Sequence, residues 1–158
     1  MRSGQYCFQE RILREYDMEK INKLEITARY AETDMMGIIH HSVYPVWFEA
    51  ARTEFIRMTG ITYTELEKQG IMLPLAELTC KYLKPVHYED RVTIETRLSK
   101  LSFAKIEFSY RVILDGTIMS EGSTLHGFVS SETFRPVNLK KLQPALYSQL
   151  SELLTQGW

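Results

Sequence analysis

The chain has 158 residues, a length that suits one domain with a single hydrophobic core. It carries 19 basic and 20 acidic residues, so its net charge is −1. A nucleic-acid surface and an anionic membrane both need a strong positive excess, so we expect neither as the main partner. Apolar residues make up 44% of the chain, but no run of them approaches the length of a membrane span.

Two further features of composition concern the compartment and the chain ends. Cys7 and Cys80 form no CxxC motif, which predicts a reducing, cytoplasmic environment with Cys80 in the core. The first 23 residues are rich in charge and contain no apolar stretch like that of a signal peptide. We expect residues 1–23 to be an N-terminal extension to a domain at 24–158, and residues 1–17 to be dispensable.

The first predicted elements are a strand and a helix. Residues 24–31 alternate between apolar and polar side chains, which predicts a strand. A loop around Gly37 follows. Apolar residues then recur at helical spacing, and charged residues lie mostly on the opposite side, among them Arg52. The apolar set is Tyr44, Trp47, Phe48, Ala51, Phe55 and Met58. At 1.5 Å per residue this helix would be about 22 Å long.

The ends of the helices are marked by capping residues. Ser42 is the predicted N-cap of the long helix, and Gly60 is its predicted C′ residue. Pro45 fits the first turn, where its missing N–H would have no partner. A short second helix begins at Thr62, which has capping-box spacing to Glu65.

The second half of the chain predicts four antiparallel strands and a last helix. The strands are expected at 75–83, 91–98, 105–114 and 117–130, and the helix at about 139–154. Asp115-Gly116 is a typical two-residue hairpin turn. Gly122 and Gly127 indicate a bulge or a close backbone approach. One sheet packed on one central helix predicts an α+β domain.

This order of elements, together with TDMMGIIHHSVYPVWFEAAR, resembles the hotdog-fold acyl-CoA thioesterases of the 4-hydroxybenzoyl-CoA thioesterase type. Those enzymes read D-x-x-G-(I/V)-(I/V)-x-x-x-x-Y at the junction of loop and helix. The pattern is met here by Asp34, Gly37, Ile38, Ile39 and Tyr44. The likeness extends through KYLKPVHYEDRVTI and FRPVNL, over about residues 24–150. It implies a five-stranded antiparallel sheet wrapped around a long central helix, assembled as a homodimer or homotetramer.

The resemblance also implies an activity, the hydrolysis of an acyl-CoA thioester to the free acid and coenzyme A without a cofactor. Asp34 would attack the thioester carbonyl or activate a water, and the backbone N–H of His41 would stabilise the oxyanion. A helix N-terminus suits that task, because its unpaired N–H groups carry a partial positive charge. Gly37 would let the loop turn tightly. The implied substrate contacts are Tyr44, Trp47 and Glu49.

The residues alone leave alternatives open for the two carboxylates. An isolated aspartate in a loop often forms an Asx-turn, so Asp34 has an ordinary structural explanation. Glu49 is the rival catalytic carboxylate, although an ion pair with Arg52 at i, i+3 is the interpretation that we favour. A hydratase or dehydratase would need a histidine with an acidic residue, for which His41 and Glu49 could serve. A non-catalytic acyl-CoA-binding protein is the third possibility.

The histidines do not predict a metal site. His40 and His41 are adjacent, so we expect their side chains to diverge, and no third ligand has suitable spacing. His87 and His126 have no evident acid–base partner in the sequence.

Serine chemistry and coenzyme binding leave weaker signals. Neither Ser42 nor Ser123 lies in a Gly-x-Ser-x-Gly elbow, which argues against a serine hydrolase. The phosphates of the coenzyme need cations, and four lysines of the strand region are candidates: Lys81, Lys84, Lys100 and Lys105.

Overall fold

The computed structural model describes residues 20–158. The prediction that residues 1–17 are dispensable lies outside this range, as does Cys7. The first strand begins at Asn22, two residues before the predicted start of the domain.

Seven strands and four helices follow one another along the described chain. In order they are β1 (Asn22–Thr27), α1 (Val43–Arg57), α2 (Tyr63–Lys68), β2 (Ile71–Met72), β3 (Leu75–Tyr82), β4 (Arg91–Leu101), β5 (Lys105–Leu114), β6 (Thr117–Gly127), β7 (Val129–Ser130), α3 (Leu139–Leu142) and α4 (Pro144–Leu153). A 3-10 helix, Tyr30–Glu32, precedes the loop that leads into α1.

Five of the strands form one antiparallel sheet in the order β1-β4-β5-β6-β3. The hairpin between β5 and β6 turns at Asp115 and Gly116, whose φ angles are 48° and 75°, as a two-residue type I′ turn requires. The two short strands β2 and β7 pair separately. In the main sheet β3 is an edge strand, because it is hydrogen-bonded only to β6.

The core lies between the sheet and α1. Alternation along β4 and β5 buries every second side chain, as period-2 patterning dictates. The buried residues of α1 are Tyr44, Trp47, Phe48, Ala51, Phe55 and Ile56. The helix contacts β1, β4 and β3. The predicted α+β architecture, a five-stranded antiparallel sheet around a central helix, is confirmed, although at 15 residues the helix is not especially long.

The caps of α1 differ in detail from the prediction. Ser42 occupies the N-cap position, but its side chain makes no capping hydrogen bond. Met58 is the C-cap, so Gly60, with φ 78°, lies one position beyond C′. At α2 the predicted capping box is confirmed, since Thr62 and Glu65 exchange hydrogen bonds between side chain and backbone.

Two predicted elements are interrupted. The expected helix at 139–154 is split into α3 and α4, because Pro144 cannot continue the first helix and instead begins the second. The expected strand at 117–130 ends at Gly127 and resumes as β7. Among the residues that the structure describes, no helix has the length and apolar character needed to cross a membrane.

Candidate active site

The loop before α1 folds into a tight turn that starts at Asp34. The backbone N–H of Asp34 donates to the Ile38 carbonyl at 2.9 Å, and that of Gly37 donates to the Asp34 carbonyl at 3.0 Å. Gly37 has φ 75°, a left-handed conformation that glycine adopts without strain. The carboxylate atom Oδ1 of Asp34 accepts from the Met36 N–H at 2.8 Å. Asp34 therefore forms an Asx-turn, and within the described chain its second oxygen has no protein partner.

Glu32 links this loop to α1 by hydrogen bonds. Its side chain is 8% exposed and accepts hydrogen bonds from the Arg29 backbone and from Trp47 Nε1. Its carbonyl oxygen accepts from the His40 N–H at 2.8 Å. Burial raises the pKa of Glu32, but the hydrogen bonds from Arg29 and Trp47 outweigh burial and hold the pKa below its ordinary value. Nothing in the sequence pattern separates Glu32 from the other glutamates, so its role was not predicted.

A pocket of about 360 Å³ opens where this loop meets the start of α1 and the end of β3. It brings together three of the predicted site residues, Asp34, His41 and Tyr44. The remaining lining residues are Met36, Ile38, Ile39, Tyr82, Leu83, Lys84 and Pro85. A carboxylate and the start of a helix therefore face one partly apolar space.

The backbone N–H of His41 is distinguished from its neighbours by its hydrogen bonding. The N–H groups of Ile39, His40, Ser42 and Val43 each donate to an acceptor within the protein. That of His41 has no acceptor among the described residues. It precedes the first turn of α1, where the helix dipole favours negative charge. The group is therefore free to donate to a ligand oxygen.

Tyr82 closes the pocket on the side of β3. Its hydroxyl donates to the His41 carbonyl oxygen at 2.8 Å, and its ring packs edge-to-face on Tyr44 with centroids 5.0 Å apart. Burial, with a smaller contribution from Cys80, raises the pKa of Tyr82 to about 12. In the sequence Tyr82 looks like an ordinary strand residue, so its position beside the helix start was not predicted.

Trp47 and Glu49 do not join the Asp34 pocket. Trp47 is 2% exposed and belongs to the core, where its indole N–H bonds to Glu32. Glu49 lines a second pocket of about 140 Å³, which also contains Arg52. His41 and Glu49 line different pockets, so a single copy of the chain does not bring them together as the pair that a dehydratase would need.

The expected ion pair between Glu49 and Arg52 is wrong. The Arg52 side chain turns inward, and its Nε and Nη1 atoms donate to the hydroxyls of Tyr63 and Tyr110 at 3.2 and 3.4 Å. Within the described residues Glu49 has no ion-pair partner. Charge patterning placed Arg52 on the solvent side, but two tyrosines from α2 and β5 supply acceptors that only the folded chain assembles.

The histidine pair also departs from expectation. The rings of His40 and His41 do not diverge, because their centroids are 4.0 Å apart. His40 Nδ1 lies 2.8 Å from Ser42 Oγ and also accepts from the Ser42 N–H. Among the described residues, no three or more His, Cys, Asp or Glu side chains are grouped so that they could hold a metal ion.

The other two histidines have partners that the sequence did not reveal. The Asp90 carboxylate lies 3.8 Å from His87 Nδ1 and accepts from the His87 backbone N–H. His126 is 1% exposed, and its Nδ1 donates to the Leu73 carbonyl. Burial lowers the pKa of His126 to about 4, and the charge of Arg52 adds to this effect.

Of the candidate lysines, Lys84 alone lines the Asp34 pocket. Lys100 forms an ion pair with Glu107 at 3.1 Å. Cys80 is half-buried and packs on the core, as expected, with its Sγ atom 3.4 Å from Ser120 Oγ.

The sequence profile of the thioesterase-like superfamily matches residues 28–150. The chain belongs to this superfamily. The match includes the Asp34 loop, α1 and the whole of the meander from β3 to β6. The predicted family is confirmed, and so, at the level of the family, is the predicted class of enzyme, a thioester hydrolase.

Individual members of the superfamily are similar over most of the chain. The protein YneP of Bacillus subtilis (strain 168), named only provisionally as an acyl-CoA thioesterase, is 34% identical over 78% of this chain and 91% of its own length. The acyl-CoA thioester hydrolase YbgC of Escherichia coli O157:H7 is 25% identical over 76% of this chain and 90% of its own. The crystal structure of a DHNA-CoA thioesterase from Staphylococcus aureus superposes with a TM-score of 0.81. It is 35% identical, and the match covers 84% of this chain and 90% of that one.

Proposed function

We propose that the protein hydrolyses an acyl-CoA thioester to the free acid and coenzyme A, with Asp34 and the His41 N–H as its catalytic groups. One observation carries this proposal. Asp34 and His41 line the same pocket, and among the described residues one carboxylate oxygen of Asp34 and the backbone N–H of His41 have no hydrogen-bond partner. The names of the relatives support the substrate class, since YbgC is an acyl-CoA thioester hydrolase.

Two chemical routes use the same groups. In the first, the Asp34 carboxylate takes a proton from a water whose oxygen attacks the thioester carbonyl carbon. The negative charge that develops on the carbonyl oxygen is stabilised by the His41 N–H and the positive end of α1. The C–S bond then breaks, and the proton held by Asp34 passes to the departing thiolate of coenzyme A.

In the second route the Asp34 carboxylate attacks the carbonyl carbon itself and expels the thiolate, leaving a mixed anhydride between Asp34 and the acyl group. Water then hydrolyses the anhydride and regenerates the carboxylate. In both routes the Asx-turn to Met36 holds one carboxylate oxygen in place, and the other, which has no partner among the described residues, would be the reacting atom.

We propose that the coenzyme binds at the side of the pocket where β3 ends. Lys84 is a cation at its lining, and it follows directly on Tyr82 and Leu83, which line the same wall. A lysine ammonium is a suitable point charge for a phosphate. We propose that Lys84 contacts a phosphate of the coenzyme while the thioester lies at Asp34.

The proposal includes a second copy of this chain. Among the described residues, the backbone groups on the outer side of the edge strand β3 have no strand partner. Long apolar edges are usually covered in native proteins. We propose that two copies pair along β3, which places Tyr82 and the pocket wall at the interface. Equilibrium sedimentation should give no stable species of 18.5 kDa at micromolar concentration, and a monomer there would overturn the pairing.

A hydrolysis screen tests the activity. Purified full-length protein is incubated with a panel of acyl-CoA thioesters, and released thiol is followed with a chromogenic disulfide. Steady release from at least one substrate is expected. Binding of acyl-CoA without thiol release would favour a non-catalytic binding protein, and hydration of crotonyl-CoA without thiol release would favour a hydratase. The cytoplasmic location stays a prediction from the cysteine content.

A further inference from the structure

The second pocket has a feature that the catalytic groups do not use. It lies between α1 and β3, and its lining is Pro45, Val46, Glu49, Arg52, Leu75, Leu78 and Thr124. Four aliphatic side chains line it, and Arg52 is its cation. At about 140 Å³ it is close in size to engineered apolar cavities that take a benzene ring.

Arg52 has hydrogen-bond donors to spare. Its guanidinium has five N–H donors, and two of its nitrogens donate to the neutral hydroxyls of Tyr63 and Tyr110. No carboxylate within the described residues lies within ion-pair distance of it. The Tyr110 hydroxyl also forms a 2.7 Å hydrogen bond with Oγ1 of Thr124, which lines the pocket. A partly buried guanidinium that has free N–H groups, and no counter-ion among the described residues, favours the binding of an anionic acceptor.

Both pockets are lined by residues of α1 and of β3. Tyr44 and Arg52 are eight residues apart on α1, which is about 12 Å at 1.5 Å per residue. Tyr82 and Leu78 are four residues apart on β3, about 13 Å along the strand. The Asp34 pocket joins the start of α1 to the end of β3, and the second pocket joins later residues of α1 to Leu75 and Leu78, so the two pockets follow one another along both elements.

We propose that Arg52 binds a second carboxylate at the far end of the acyl group, so that the preferred substrates are coenzyme A monothioesters of dicarboxylic acids. The methylene chain would lie against Val46, Leu75 and Leu78, and the terminal carboxylate would take two N–H bonds from the guanidinium. Glu49, exposed at the rim of the same pocket, opposes this binding and limits its strength. This inference rests on the proposed thioesterase activity and adds the chemistry of the acyl group.

The test compares adipyl-CoA, hexanoyl-CoA and ω-hydroxyhexanoyl-CoA in the full-length protein. Succinyl-, suberyl- and sebacyl-CoA, each with its unsubstituted counterpart (butyryl-, octanoyl- and decanoyl-CoA), give the best chain length. The best dicarboxylic substrate should exceed its unsubstituted counterpart about 10- to 100-fold in kcat/KM, the range of a charge-assisted hydrogen bond. Arg52→Met should reduce this ratio to about one. Glu49→Gln should raise it, because the variant removes the opposing charge. Since each ratio is taken within one variant, a general loss of activity cancels.

Two results would overturn the inference while leaving the proposed hydrolysis intact. One is hexanoyl-CoA hydrolysis with no preference for any dicarboxylic substrate. The other is a preference for ω-hydroxyhexanoyl-CoA that Glu49→Gln weakens, because a hydroxyl would donate to Glu49. If no acyl-CoA releases thiol, the proposed function fails instead. Should Arg52→Met not fold, Arg52→Lys keeps one charge but lacks the paired N–H groups, and a loss of most of the preference is then expected.

Discussion

The hydroxyl of Tyr82 donates a 2.8 Å hydrogen bond to the carbonyl oxygen of His41 and so ties the edge strand β3 to the start of α1. The peptide that it holds adjoins the His41 N–H, the proposed oxyanion donor. Tyr82→Phe keeps the ring and its contact with Tyr44 but removes this bond. A neutral hydrogen bond contributes about 0.5–1.5 kcal/mol, so we expect kcat to fall about 2- to 10-fold.

The KM for acyl-CoA should change little in Tyr82→Phe if the residue positions the oxyanion donor, because that interaction belongs to the transition state. Tyr147→Phe is the matched control, since the Tyr147 hydroxyl makes no hydrogen bond within the described chain and its ring lies on α4. A rise in KM with unchanged kcat would show instead that Tyr82 contacts the substrate.

At Gly122, strand β6 lies close to both the neighbouring strand β3 and the core. A Cβ atom there would lie 2.5 Å from the Thr79 carbonyl oxygen and 2.5 Å from Cε2 of Phe48, whose ring stacks on Tyr110. Neither a backbone oxygen nor a stacked ring can move aside easily. Gly122→Ala should therefore lower the free energy of unfolding by about 1–3 kcal/mol in urea denaturation.

Gly127→Ala provides the comparison for Gly122→Ala, because a Cβ at Gly127 meets nothing within 4 Å. Its effect on the free energy of unfolding should be within about 0.5 kcal/mol. Equal losses in the two variants would mean that the contact with Thr79 and Phe48 does not decide the cost.

The strands could be predicted because the alternation of apolar and polar residues within each segment shows which side chains are buried. The alternation of residues 105–114 alone fixes the bounds of β5, and Asp115-Gly116 fixes the turn after it. Gly122 was predicted for the same reason, since a glycine within a strand pattern marks a close approach.

Side-chain partners across the fold were not predictable in this way. Arg52 was placed on the solvent side because it is charged, but its acceptors come from α2 and β5. Tyr82 reaches His41 only because the strand order puts β3 at the edge beside the start of α1. The closeness of Asp34 to the helix start came from the family resemblance and not from any periodicity.

His126 should make the stability of the protein depend on pH. Its Nδ1 donates to Leu73, so a second proton would have to go to Nε2, which is buried without a partner among the described residues. The pKa is about 4 in the folded state and about 6.5 in the unfolded state. Between these values the unfolded chain binds the extra proton and the folded chain does not. The contribution of His126 to the free energy of unfolding is therefore fully present above pH 6.5. It is lost as the pH falls towards 4, and the loss amounts to about 3 kcal/mol.

The measurement for His126 is urea unfolding at a series of pH values for the wild type and for His126→Asn, which keeps a donor near the place of Nδ1 but does not titrate. The wild-type free energy should fall more steeply between pH 6.5 and 4 than that of the variant. Carboxylates, Glu32 among them, contribute equally to both proteins and cancel in the difference. Parallel curves would show that His126 does not carry this dependence.

Asp34→Asn is the decisive substitution for the proposed mechanism. Asparagine keeps an oxygen that can accept from the Met36 N–H, so the Asx-turn should survive, but the negative charge needed by a base or nucleophile is gone. We expect a loss of about 10²- to 10⁴-fold in kcat if Asp34 is a general base, and a larger loss if it is the nucleophile. Substrate affinity should hardly change.

Two further variants serve as controls for Asp34→Asn. Asp115→Asn removes the same charge from a surface turn, where asparagine before Gly116 suits the turn equally well, and it should leave the rate unchanged. Glu49→Gln removes the rival carboxylate, and with hexanoyl-CoA as the common substrate the ranking of the two losses decides which carboxylate is catalytic.

Single turnover in ¹⁸O-labelled water then tests for the anhydride route. If water attacks the thioester directly, or attacks the acyl carbonyl of a mixed anhydride, the label appears in the product acid after one turnover. If a mixed anhydride forms and water attacks its Asp34 carbonyl, the label enters Asp34 and is found in the peptide that contains residues 30–40. Asp34 is not the catalyst if Asp34→Asn, folded like the wild type, keeps more than about a tenth of the rate. A tenfold loss corresponds to only about 1.4 kcal/mol of barrier, far less than a base or nucleophile supplies.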